Sequence, residues 1–90
     1  MYLFLGQETV VRTDDIVGMF DLDKVSTSAM TKRFLSTAQK QGQVVDVSPG
    51  ELPATFVVCE RAGKTRVYIT QISAGTLRKR LSVGQLAVGN

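Results

Sequence analysis

Apolar positions fall along this chain in short β-type bursts, interrupted once by a helical stripe. Tyr2–Leu5 and Thr9–Arg12 are β-favouring runs separated by Gly6-Gln7-Glu8, a spacing that predicts a hairpin with a three-residue loop. Thr13-Asp14-Asp15 then turns the chain, because short polar side chains bond their own backbone. In Asp15-Ile16-Val17-Gly18-Met19-Phe20-Asp21, large apolar residues flank a glycine and are fenced by carboxylates. So continuous a run, too short for an ordinary helix, predicts a core strand Ile16–Phe20 buried on both faces. Gly18 suits a place where another backbone or a helix comes close.

Asp21-Leu22-Asp23-Lys24 leads out to Ser26, Thr27 and Ser28, any of which can cap a helix beginning near Ser28 or Ala29. Met30, Phe34 and Ala38, with Leu35 beside them, form one apolar stripe, and Gly42 is placed to stop the helix after about Gln41. Val44–Val47 reads as a brief strand, and Ser48-Pro49-Gly50-Glu51-Leu52-Pro53 as a loop. Thr55–Glu60 and Lys64–Ile72 are the strongest strand signals, joined through Arg61-Ala62-Gly63. Alternation puts Phe56 and Val58 on one face, with Val57 and Cys59 on the other. Ser73 caps a short helix from about Ala74 to Leu81, with Leu77 and Leu81 as its buried edge. No repeat or linker divides the chain. The pattern predicts one α+β domain over residues 1–90, a small, mostly antiparallel sheet with one longer and one short helix, residues 82–90 being a tail either frayed or laid on a neighbour.

Composition narrows what such a domain can do. A chain of 90 residues buries roughly 60–65% of its unfolded surface, so its core is modest. One cysteine excludes an intrachain disulfide, and with no histidine and no cage-like spacing of carboxylates, neither a metal nor another cofactor is expected. Homo-oligomerisation is the remaining route to stability. The N-terminal apolar run has no basic leader and falls far short of the ~20 residues that span a bilayer, which points to the cytoplasm, without membrane contact and with Cys59 reduced. Net charge is +3, unevenly spread: residues 1–60 hold five basic and eight acidic side chains, residues 61–90 six basic and none acidic. The C-terminal third is either an anion-facing surface or a solvated one.

Three motif likenesses dissolve on inspection. Gly63-Lys64-Thr65 imitates the end of a phosphate-binding loop, yet Val58 stands where the first glycine belongs and a strand follows instead of a helix. Asp21-x-Asp23 imitates a calcium loop whose later ligand positions hold Val25 and Lys32. Cys59 has no histidine to activate it and reads as packing, so no enzyme and no small-molecule substrate are expected. The basic set remains. Arg78-Lys79-Arg80 fan over about 200° of a helix and cannot all face the core, which suits phosphate contact with double-stranded DNA. Lys64 and Arg66 on the hairpin, and Lys32, Arg33 and Lys40 on the first helix, extend that candidate surface.

The order and spacing of several segments resemble a known family. Met1-Tyr2-Leu3-x-Leu5-Gly6, Val10-Val11, the core run Asp15–Asp21, Gly42-x-Val44-Val45-Asp46, Phe56-Val57-Val58 and Thr76-Leu77-x-x-Arg80 are similar to the RemA/RemB-like bacterial extracellular-matrix (biofilm) regulatory proteins, most of all the RemB branch. The resemblance implies a LytTR-like subunit, assembly into rings, and DNA binding that regulates transcription of matrix genes. It also implies a difference in the site. The RemA branch carries an arginine pair after the glycine of the central loop and another arginine before the core strand, where this chain has Glu51, Leu52 and Asp15. Arg80 alone matches a family arginine. Two functions therefore stand open: a DNA-binding regulator using the C-terminal basic surface, or an assembly or adaptor protein of the same fold without DNA contact.

Overall fold

The computed structural model of the chain describes the backbone of residues 1–25 and 28–89 and the side chains of 1–24 and 28–82. Strands β1 (Tyr2–Gly6) and β2 (Thr9–Arg12) form an antiparallel hairpin, followed by a 3-10 turn over Thr13–Asp15 and strand β3 (Ile16–Asp21). Helices α1 (Leu22–Val25) and α2 (Ala29–Lys40) lead to β4 (Val44–Asp46), β5 (Thr55–Arg61), β6 (Lys64–Thr70) and α3 (Ala74–Gly89). The main sheet has the order β3-β5-β6-β4, antiparallel except for the β4–β6 pair. This topology makes β3 and β4 parallel strands at opposite edges. Parallel strands need a crossover connection, and α2 supplies it by crossing one face of the sheet.

The result is three layers. On one face Ala38 and Leu35 of α2 meet Phe56, Val67, Val58 and Ile69. On the other, Leu3, Leu5 and Val11 of the β1–β2 hairpin and Leu77 of α3 pack on Val57 and Cys59. The predicted alternation along β5 therefore holds.

The turns are tighter than the sequence pattern suggests. The first hairpin closes through two residues, Gln7 and Glu8, at φ 48° and 70°, and not through the expected three-residue loop. Two consecutive positive φ values match the right-handed twist of paired strands, and the register shift between Phe4 and Gly6 accommodates them. Ala62-Gly63 repeats the device at φ 52° and 79°, which leaves Arg61 inside β5, paired with Lys64.

Helix α2 starts and stops as predicted. Ser28 Oγ accepts a hydrogen bond from the Thr31 N–H at 3.4 Å, and Gly42 takes φ +70° beyond the last turn. The alternative caps Ser26 and Thr27 lie outside the described residues. Helix α1 is an addition, capped by Asp21, whose Oδ1 accepts from the Asp23 N–H at 2.9 Å.

Three expectations need correction. The segment Ile16–Phe20 is a strand, but at the sheet edge and covered on one side only: Val17 is 66% and Phe20 41% exposed. The reason is that the buried side chains of α2 pack on β5, β6 and β4, which leaves β3 partly bare. Among the described residues the nearest neighbour of Gly18 is likewise a side chain and not another backbone. A Cβ there would lie 2.9 Å from the Phe20 ring of its own strand, which folds back over it to stack on Phe56 at 4.9 Å. Finally, α3 continues through 82–89, so the C-terminal helix is the longer of the two.

Candidate nucleic-acid interface

Helix α3 is held from both ends of its first two turns. Ser73 Oγ accepts from the Thr76 N–H at 3.2 Å, while Ala74 and Leu77 are buried against the sheet and Leu81 packs beside them. This anchoring turns Arg78, Lys79 and Arg80 outward, and all are exposed. They do not behave alike. Arg80 reaches back to β1, where Nη1 donates to the Phe4 carbonyl at 3.1 Å and the guanidinium lies 5.8 Å from the Phe4 ring centre. A planar cation over an aromatic face together with a charge-assisted hydrogen bond makes Arg80 a brace between α3 and the hairpin. Arg78 and Lys79 make no ion pair or side-chain hydrogen bond among the described residues.

Lys64 and Arg66 lie elsewhere. They line a cleft of about 460 Å³ between β2 and the end of the β5–β6 hairpin, together with Arg12 and Arg61. Val11, Cys59 and Tyr68 also line it, and Asp15 and Glu60 are its carboxylates. The register explains the clustering: Arg61 pairs with Lys64 and Cys59 with Arg66, so Arg61, Lys64 and Arg66 share the face that carries the hairpin layer. None of the α3 cations lines this cleft. Lys32, Arg33 and Lys40, exposed on α2, stand on the opposite side of the sheet and do not extend either group. Arg12 and Arg61 are the positions that sequence reasoning passed over. The signal lay in Arg61-x-x-Lys64, since two residues between two cations in a hairpin put them directly across from each other.

Cys59 is buried at this cleft. Its thiol is pushed up to about 11 by burial, with the negative charge of Asp15 adding to the effect. A thiol held protonated in this way is a poor nucleophile. Asp15 thus places a carboxylate beside the cleft, while Glu51 and Leu52 sit in the β4–β5 loop, with Leu52 88% exposed. Gly63-Lys64-Thr65 runs from the turn into β6, so no helix follows it.

A second surface is apolar. Val17 and Phe20 of β3 and Met30 and Phe34 of α2 flank a groove of about 340 Å³ with Phe56 and Val58 at its base. Met30 is 80% exposed, so the stripe that the sequence predicts for α2 is only half covered by its own chain. Among the described residues no helix is long and apolar enough to cross a membrane.

The chain belongs to the RemA-like family, described as extracellular matrix regulatory protein A-like, which it matches over residues 3–81. It is similar to Extracellular matrix regulatory protein B of Bacillus subtilis (strain 168), with 38% identity over 80 residues that cover 89% of either chain. Both findings agree with the resemblance carried by the motifs.

Proposed function

We propose that this protein is a cytoplasmic, DNA-binding transcriptional regulator of extracellular-matrix genes that acts as a ring-like homo-oligomer. The observation that carries the reading is the pair Arg78 and Lys79, turned to solvent by an anchored helix and left without a counter-charge among the described residues. Each cation placed on a backbone phosphate releases condensed counterions, and that release drives affinity. Arg80 sets the helix in position, and Lys64 and Arg66 add positive field from the hairpin. The family supports the regulatory part of the reading, since the relative is named an extracellular matrix regulatory protein. Repetition of the same patch around a ring supplies avidity that a single subunit lacks.

A second reading is an adaptor of the same fold that binds protein and not DNA. It is favoured by the groove beside Phe20 and Met30 and by Glu51, Leu52 and Asp15 at the positions where the RemA branch carries arginine. Fluorescence anisotropy with a labelled DNA duplex, repeated over a salt series, separates the two. The regulator reading requires binding whose log affinity falls steeply with log salt. Absence of binding even at low salt supports the adaptor.

A further inference from the structure

We propose that the cleft between β2 and the β5–β6 hairpin is a binding site for a small phosphate monoester, a mononucleotide in size. Arg61 and Lys64 are directly opposed across the hairpin, and Arg66 lies on the same face. Like charges directly opposite each other destabilise a sheet. Among the described residues none of these three makes an ion pair, and Arg12 makes only a loose one with Asp14 at 3.9 Å. An anion in the cleft relieves that repulsion. The cleft volume of about 460 Å³ falls within the range of small-molecule sites, roughly 300–1,000 Å³.

Charge selects the class of ligand. Against four cations stand Asp15 and Glu60, so the lining carries two net positive charges. A phosphate monoester near neutral pH carries about −1.5 to −2 and three acceptor oxygens, which matches it. A phosphodiester carries one charge and is extended on both sides, a poorer fit to a recess. Next to the cations lie Val11, Cys59 and the half-buried ring of Tyr68, an apolar and aromatic surface for the body of the ligand. The inference shares Lys64 and Arg66 with the DNA-binding reading, but the residues that carry that reading, Arg78 and Lys79, lie outside the cleft.

Isothermal calorimetry on the full chain with adenosine 5′-monophosphate, inorganic phosphate, adenosine and 3′,5′-cyclic adenosine monophosphate tests it. The expected result is saturable binding of the monoester, at least about tenfold tighter than the nucleoside or the cyclic diester, since charge-assisted hydrogen bonds are at stake. Lys64→Gln and Arg66→Gln should each weaken it by about tenfold without lowering the melting temperature, which Lys64→Gln should raise by removing the repulsion from Arg61, while Lys40→Gln on the far side of the sheet leaves binding unchanged. Equal binding of nucleoside or diester, indifference to both cleft variants, or no binding of either monophosphate or phosphate up to about 10 mM overturns the proposal. The anisotropy titration with DNA reports separately, so failure of one reading is not mistaken for failure of the other.

Discussion

Thr55 and Thr70 face each other across β5 and β6, both buried, and their hydroxyls stitch the layers together. Thr70 Oγ1 donates to the Leu5 carbonyl at 2.6 Å, across 65 positions of sequence, and accepts from the Ile72 N–H at 3.2 Å. Thr55 Oγ1 donates to the Ile72 carbonyl at 2.8 Å. A methyl in place of the Thr70 hydroxyl keeps the volume but strips a buried acceptor and a donor of their partner. Thr70→Val should therefore cost about 1–3 kcal/mol, read as a lower urea midpoint with unchanged slope. An unshifted midpoint would show that the hairpin docks without this bond. Cys59 makes a second residue-scale statement. Its thiol sits at about 11 in the folded chain against 9.0 ordinarily, so the unfolded state loses its proton first as pH rises. The stabilisation is fully present below pH 9 and is lost between pH 9 and 11. Cys59→Ala, whatever its packing cost, should lack this loss, and parallel stability curves for the two proteins over that window would contradict the assignment.

Elements were legible wherever a local chemical signal marked them. Ser28 and Gly42 bracket α2, and the β-branched runs on either side of Ala62-Gly63 mark β5 and β6. Alternation along Phe56–Cys59 separates the two cores. What local pattern left unread depends on partners far along the chain. An apolar run such as Ile16–Phe20 announces burial but not which layer buries it, and here the chain's own α2 covers only part. The extent of α3 was missed because Gly84 and the scattered apolar residues after Leu81 imply no helix by themselves. At the candidate site the basic set was visible, while its division was not: only the register places Lys64 and Arg66 in a cleft with Arg12 and Arg61, and only the contact with Phe4 distinguishes Arg80 from its neighbours. That distinction shapes the test at this scale. Arg78→Glu/Lys79→Glu alters exposed positions that brace nothing among the described residues, so the fold should persist. Affinity for duplex DNA should fall and the slope of log affinity against log salt should flatten by about 0.9 per lost phosphate contact per subunit engaged. A folded double variant with unchanged affinity and slope would remove α3 from the interface.

At the scale of the whole molecule, two apolar surfaces stand on opposite outer layers. One is the outward face of the hairpin, where Tyr2 is 68%, Phe4 45% and Val10 54% exposed; the other is the groove flanked by Val17, Phe20, Met30 and Phe34. Single exposed apolar residues are ordinary on a protein surface, but contiguous groups mark contact sites. Since the two surfaces differ, a contact that joins one to the other is heterologous. Such contacts propagate head to tail, and they close into a ring when the rotation between subunits allows. A core this small gains stability from the area so covered. Met30 is the residue at which to test the arrangement, because at 80% exposure it contributes little to the packing of its own subunit. Light scattering at tens of micromolar should show the native chain as a multimer and Met30→Glu as a smaller species, with circular dichroism of the variant unchanged, since a carboxylate forced into an apolar contact costs several kcal/mol unless it is paired. A native chain that is monomeric under these conditions removes the ring and leaves the groove to a different protein, as the adaptor reading requires. A multimer that survives the substitution intact places the subunit contact away from α2, on the hairpin face or the sheet edges.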